Sequence, residues 1–359
     1  LFNVLGLPSG KRWATGYSVD AEVLEALKST HPVVPRILEY KSAQKLKSTY
    51  VDSLPKFMGA DGRVRARWQG TRVTSGRLSC ADPNLQNQPI RSELGQLVRQ
   101  AFVPDPGYSF VALDLNQIEL RCLAHLSNDP QMLEVYQRGG DIHTSTAAEM
   151  YGIPLQNVSP AQRFSAKTLN FGVVYGITAL GLLSNLPPLL RDPSLHTQEW
   201  ASGFIERYFV VYPGAKAFIE SVHRFAHQHG FVEDAFGRRR HIPEVLSSSR
   251  KLRAEGERQA QNHPVQATAA GVLKLIMGEL VNLQMRGVLD ALISREDVRG
   301  VLQVHDELIF EVRSGSGLPA QVGSLVKDVM EGCAPWMAIP LKADVEVGSS
   351  WGEMEKIKV

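Results

Sequence analysis

Apolar positions recur at helical spacing from Ala21 to about Tyr50, and His31-Pro32 breaks the pattern midway. Turn residues dominate from Arg63 to Gln100, with short strands predicted around 63–68. The run Phe110-Val111-Ala112-Leu113 reads as a buried strand ending in Asp114. A helix follows at once, with Ile118, Leu120, Cys122, Leu123 and Leu126 as core positions. Residues 128–230 read as several helices punctuated by Gly139-Gly140, Pro187-Pro188 and Pro213-Gly214, and a further long helix is predicted from Gln266 to Met285. Strands then return. The runs 301–304 and 308–312 flank His305-Asp306-Glu307 as a hairpin. Strict alternation at Leu341, Ala343, Val345 and Val347 turns Lys342, Asp344 and Glu346 to the other face. No internal repeat appears, and Ser247-Ser248-Ser249 is the one low-complexity tract. The fold class is α+β, a helical middle inserted between strand-bearing ends.

Composition narrows the class. At about 150 residues per domain, 359 residues suggest two or three domains with enough chain to bury a large core. Cys80, Cys122 and Cys333 lie far apart in no metal-ligand or CxxC spacing, which fits a reducing compartment. No continuous apolar run is long enough to span a bilayer, and the N-terminus has no signal-peptide pattern. The chain opens on Leu1 inside an apolar pattern, which reads as a piece of something longer. Net charge is only +2, yet Arg36–Gln100 holds twelve basic against five acidic residues, a local +7 that leaves −5 for the rest. Such a run is either a solvated face or a grip on a phosphate backbone.

Two features carry candidate chemistry. Asp114 ends one apolar strand and Asp306 lies in a hairpin turn far downstream. Rigidly held strand-end carboxylates brought together would repel unless a divalent cation neutralised them, and oxygen-only ligation suits Mg²⁺. Taken singly, each Asp is also an ordinary turn residue. The second feature is a helix opened by Ser159-Pro160-Ala161-Gln162, with Ser at the N-cap, Pro at N1 and Gln at N3. Along it Arg163, Lys167, Phe171 and Tyr175 recur every four residues, and Gly176 ends the element. Cations lie toward the positive end of the helix dipole and aromatics beyond, a face suited to phosphates and then to a base and sugar. An ordinary amphipathic helix has the same spacing.

The segment Asp114-Leu-Asn-Gln-Ile-Glu-Leu-Arg121 resembles motif A of the family A DNA polymerases, the group of bacterial DNA polymerase I. Arg163-xxx-Lys167-xxx-Phe171-xxx-Tyr175-Gly176 resembles motif B of that family, and Val304-His-Asp-Glu307 its motif C. Further similarity covers Lys45–Tyr50, Thr74–Arg91, Asp141–Thr144, Phe236–Arg240 and Asn262–Gln266, in order along nearly the whole chain.

The resemblance implies a right-hand polymerase fold with an antiparallel-sheet palm, helical fingers and a partial helical thumb. Its divisions would be a partial thumb at 1–55, palm at 56–127, fingers at 128–240 and palm again at 241–359. Nothing in the chain resembles a proofreading or 5′-nuclease domain. The implied reaction is template-directed addition of dNTPs to a primer 3′-hydroxyl by a monomer, with two Mg²⁺ ions or Mn²⁺ in their place. The implied partners are primer–template DNA and dNTPs, with no membrane. The implied compartment is the cytoplasm of a bacterium or phage-infected cell, or an organelle.

By the same resemblance Asp114 and Asp306 are the metal ligands and Glu307 supports them. Arg163 and Lys167 hold the triphosphate, with Lys167 placed to protonate pyrophosphate. His143, Phe171, Tyr175, Gln117 and Glu119 surround the nucleotide, Glu119 as the residue that excludes a ribose 2′-hydroxyl. Lys45, Arg77, Asn84, Gln86, Asn87, Arg91, Asn262, Gln266 and His305 contact DNA; a packing role beneath the turn is the alternative for His305. The chain departs from the family pattern at Leu115-Asn116, where Tyr-Ser is usual, and at Phe164, Ala267 and Gly271. Two rival readings stand beside the DNA polymerase. One is a single-subunit RNA polymerase relative, which Glu119 opposes; the other is a non-catalytic nucleic-acid-binding remnant, which the retained Asp, Arg and Lys oppose.

Overall fold

The computed structural model describes residues 1–9, 12–13, 16–90, 92–186, 196–285 and 296–359. Arg91 and Pro187-Pro188 lie outside the described residues. The chain forms two compact units. One comprises Leu1–Trp68, Cys80–Val103 and Ser350–Gly352; the other comprises Gln69–Ser79, Pro104–Ser349 and Glu353–Val359.

The first unit opens with α1 (Phe2–Leu5), a hairpin of β1 (Arg12–Trp13) and β2 (Gly16–Tyr17), then α2 (Ala21–Ala26) and α3 (Val33–Leu46). Asp20 starts α2 by accepting from the Val23 amide at 2.9 Å. The expected break at His31-Pro32 falls between α2 and α3. Leu7, Leu24, Leu27 and Val34 make a small core. Beyond it, strand up to Gln100 comprises, among the described residues, β3 (Arg67–Gln69), β4 (Ser79–Ala81) and a bridge between Met58 and Val64. The stretch expected to be dominated by turns also contains α4 (Glu93–Gln100), capped by Ser92. Leu94, Leu97 and Val98 stand at helical spacing on it, but Leu94 and Leu97 are exposed, so this short stripe is not a core face.

A five-stranded sheet of order β11-β10-β5-β9-β8 organises the second unit. Its central strand, β5 (Tyr108–Leu115), buries Phe110 through Leu113 on both faces, as a continuous apolar run requires. Helices follow as α5 (Ile118–Ser127), α6 (Pro130–Gln137), α7 (Ile142–Tyr151), α8 (Pro160–Val174), α9 (Ala179–Asn185), α10 (Gln198–Val211) and α11 (Pro213–His229). A short hairpin of β6 (Phe231–Glu233) and β7 (Arg239–His241) precedes α12 (Arg250–Met285). Then come β8 (Val298–Val304), β9 (Glu307–Arg313), α13 (Leu318–Gly332), β10 (Ala343–Ser350) and β11 (Glu353–Ile357). β10 and β9 both pair antiparallel with β5, and β8 pairs antiparallel with β9. One core runs from Val111 and Leu113 through Leu169, Tyr208 and Ile276 to Val345.

Asp129 ties two helices of this unit together. Fully buried, it caps α6 through the Gln131 and Met132 amides, and its other oxygen accepts from Gly214 and Ala215 at the head of α11. A Cβ on Gly214 would lie 2.7 Å from the Asp129 Cα, so the approach requires glycine.

The helix expected from Gln266 begins at Arg250 instead. Pro264 lies inside it and most of the first half is polar, so apolar periodicity emerges only in the second half. By length and composition α12 could cross a membrane, which the expectation based on continuous apolar runs did not foresee; half of its most apolar window is buried within the fold.

Candidate active site

Asp114 stands near the end of β5, opposite Asp344 on β10 and Glu307 on β9. Asp306 occupies the turn between β8 and β9, and its carbonyl accepts from the Leu115 amide at 3.2 Å. His305 enters that turn at φ 53°, exposed, and the Gln303 side chain donates to the His305 carbonyl. Sheet pairing thus brings together the two carboxylates that the sequence separates. Asp114 is solvent-exposed, yet partial desolvation at the strand end, with Asp344 and Glu346 beside it, pushes its carboxyl up to about 6. Burial, Glu119 and Asp114 push Asp306 up to about 6 against the opposing pull of Arg77. Crowded carboxylates of raised pKa fit a hard divalent cation, whose charge would relieve their repulsion. Among the described residues no group of three or more His, Cys, Asp or Glu converges on such an ion.

Glu119, in the first turn of α5, is buried with both oxygens engaged. Arg77 Nη2 donates to Oε1 at 2.6 Å and Tyr175 Oη donates to Oε2 at 2.7 Å. Arg77 also lies 3.9 Å from the Asp306 carboxylate. Tyr175 caps the C-terminus of α8, and Gly176 follows in the left-handed conformation. Burial and Glu119 raise the Tyr175 phenol, and the Gln266 side chain of α12 reaches it as well. Three segments distant in sequence therefore meet at one buried carboxylate.

The capping box of α8 is formed as expected: Ser159 Oγ accepts from the Gln162 amide at 3.3 Å, and Gln162 Oε1 from the Ser159 amide at 2.9 Å. Arg163 and Lys167 are exposed along the helix, while Phe171 is half-buried against His143 with ring centroids 5.6 Å apart. His143 is buried and bonded through Nδ1 to Asn170 at 3.0 Å. Its burial, with Arg163 and Lys167 nearby, lowers its pKa to about 4 despite Asp141. Arg163 Nε donates to Asp141 at 2.7 Å.

Sequence reasoning missed the braces behind these groups. Arg121, buried, donates to the Asn116 and Pro340 carbonyls and stacks over Tyr136 at 4.5 Å. Tyr136 Oη donates to Gln117 Oε1 at 3.1 Å, bracing a residue at φ 55°. These contacts link separate helices and leave no local signal. Asp141 does have one: Asp three residues before Thr144 at a helix start is a capping signature.

The remaining expected site residues are distributed. Asn262 and Gln266 are half-buried on α12, and Asn262 Nδ2 has no partner among the described residues. Glu307 begins β9 and is half-buried. Lys45, Asn84, Gln86 and Asn87 belong to the first unit. There Lys45, Asn84 and Asn87 are exposed, and the Asn87 carbonyl accepts from Tyr50 Oη at 2.7 Å.

Residues 1–353 match the sequence pattern of the family described as DNA polymerase family A. The chain belongs to DNA polymerase family A. It is 44% identical over 355 residues to the thermostable DNA polymerase I of Thermus aquaticus, covering 98% of this chain and 40% of that protein. It is 42% identical over 356 residues to DNA polymerase I of Pseudomonas aeruginosa, covering 98% of this chain and 37% of that one. The chain thus spans about two fifths of the length of these curated relatives. A solved structure of the POL domain of Pol1 from M. smegmatis, in complex with DNA primer-template and dNTP, superposes with a TM-score of 0.86 at 36% identity. That match covers 98% of this chain and 59% of the other. The expected α+β right-hand polymerase fold is therefore present.

One departure from the family A pattern has a local explanation. A Cβ on Gly271 would meet the Phe236 ring at 2.2 Å, so glycine admits that ring. Asn116 donates its backbone amide to the Lys342 carbonyl at 2.8 Å, a bond that any residue but proline could make. Phe164 is half exposed, and nothing in the structure explains it.

Proposed function

We propose that the chain is a DNA-directed DNA polymerase. It extends a primer 3′-hydroxyl along a DNA template: the hydroxyl loses its proton to solvent water, its oxygen bonds to the α-phosphorus of a dNTP, the bond from that phosphorus to the oxygen bridging the β-phosphate breaks, and pyrophosphate leaves. The convergence of Asp114, Asp306 and the Glu119–Tyr175 pair carries this reading. Asp114 and Asp306 would hold two Mg²⁺ ions, with Mn²⁺ as a substitute, and the ions supply charge neutralisation at the reacting phosphate and a more acidic hydroxyl. Glu307 supports that corner of the sheet.

Arg163 and Lys167 bind the triphosphate from the positive end of α8, and Lys167 donates a proton to the departing pyrophosphate. His143 sits beneath them, neutral and buried, and supports Phe171, which packs on the nucleotide. Gln117 and Glu119 define the sugar side. Glu119, held in place by the Tyr175 hydroxyl, would exclude a 2′-hydroxyl beside the sugar. Arg77, Asn262, Gln266 and His305 meet the primer–template, with Lys45, Asn84, Gln86, Asn87 and Arg91 along the duplex. Donors in the minor groove read pair geometry without reading sequence.

In this reading residues 1–55 are part of a thumb, 56–127 and 241–359 the palm, and 128–240 the fingers. The enzyme works as a monomer, in the cytoplasm of a bacterium or phage-infected cell or in an organelle; three free cysteines fit such a reducing compartment. Primer extension on a defined DNA template with Mg²⁺ tests the assignment. Templated addition of dNTPs, with NTPs strongly disfavoured, is expected. Extension with NTPs at equal rates would favour an RNA polymerase, and no extension with either would leave a nucleic-acid-binding remnant.

A further inference from the structure

Arg163 stands at the start of α8 with one nitrogen already engaged: Nε donates to Asp141 Oδ2 at 2.7 Å. That carboxylate has little freedom to move. Its Oδ1 accepts from the His143 amide at 3.4 Å, and Oδ2 also accepts from the Thr144 amide at 3.1 Å and the Thr144 hydroxyl at 2.5 Å. Asp141 is thus built into the head of α7 and reaches across to α8. A guanidinium held through Nε keeps both Nη groups on its outer edge, the edge that forms two parallel hydrogen bonds to a phosphate. We infer that Asp141 is a positioning residue for nucleotide binding, fixing Arg163 so that its Nη groups meet the triphosphate already oriented. Although partial burial opposes it, Arg163 and Thr144 keep the Asp141 carboxyl well below the usual carboxylate range, so the brace stays charged through the working pH range.

The inference rests on the assignment of Arg163 to the triphosphate, and kinetics on a primed template separate the two. Asn caps helices as well as Asp, so Asp141→Asn, with its one oxygen toward Thr144, keeps the head of α7 and gives Arg163 a neutral acceptor in place of a charged one, losing besides only the long 3.4 Å bond from the His143 amide. The expected variant has an unchanged melting temperature, a KM for dNTP raised about tenfold and a kcat within about twofold, as loss of one charge-assisted brace implies. In an Arg163→Ala background the same substitution adds nothing further. An unchanged KM in Asp141→Asn, or full additivity with Arg163→Ala, would overturn the proposal. A lowered KM would also overturn it, marking Asp141 as a competitor that Arg163 must leave. An Arg163→Ala protein that keeps the parent's KM would overturn the triphosphate assignment itself.

Discussion

Glu119 is a buried carboxylate whose two partners come from far along the chain, and the cost of losing either is unequal. Arg77→Ala removes the one cation paired with it among the described residues, leaving a desolvated charge held by the Tyr175 phenol; a loss of about 1–3 kcal/mol is expected in denaturant unfolding. The same variant frees Asp306 from the pull that lowers its pKa, so the acid limb of the activity profile moves to higher pH. The metal-free protein has a pH dependence of its own. Asp114 and Asp306 titrate near 6 when folded, against an ordinary 3.8. Between those values the folded chain binds more protons than the unfolded one, so their contribution to stability is full below about 4 and is lost as pH rises through 6. Asp114→Asn therefore stabilises the metal-free protein at pH 7.5, by about 1 kcal/mol after screening, while abolishing synthesis. Thermal melts in chelator check this, and a variant that melts lower than the parent would contradict it.

Elements were legible where local chemistry repeats in the sequence. The α8 capping box, the buried β5 run and the β8–β9 hairpin all follow from short-range patterns, and all are formed. Ser159→Ala should cost about 1 kcal/mol of stability, because the Gln162 amide loses its acceptor. The start of α12 was not legible. Between Arg250 and Asn262 it buries only Gly256, Ala260 and Gln261 among the described residues, and Pro264 interrupts the pattern that follows. Gly256 shows why propensity is a weak guide there. Glycine is a poor helix residue, yet an added Cβ would come within 2.7 Å of the Val245 backbone nitrogen. Gly256→Ala is thus expected to destabilise by about 1–3 kcal/mol despite its better propensity, as overpacking does. A variant that unfolds at higher denaturant than the parent would refute the close approach.

Across the whole molecule, a net charge of +2 conceals a strongly basic segment. Four of the five acidic side chains in Arg36–Gln100 pair with basic ones of the same segment and Arg77 pairs outside it with Glu119, so the segment's own acids do not remove its basic excess. Binding of a primed duplex should fall steeply between about 50 and 200 mM salt, and Lys45→Ala should flatten the log–log slope by about one. The two carboxylates and the face of α8 were readable in the sequence, because strand ends and helical spacing are local. Their connections were not: Arg77 to Glu119, Asp141 to Arg163 and Tyr136 to Gln117 join segments that only the fold brings together. In the proposed function Asp114 and Asp306 act as one centre for transfer of a dNTP to a primer. Single-turnover incorporation of the templated dNTP, comparing the parent with Asp306→Asn, tests it most directly. A rate at least about 10³-fold lower in a variant that still binds DNA is predicted, since several kcal/mol of charge stabilisation is lost. Incorporation at the parental rate would contradict the account.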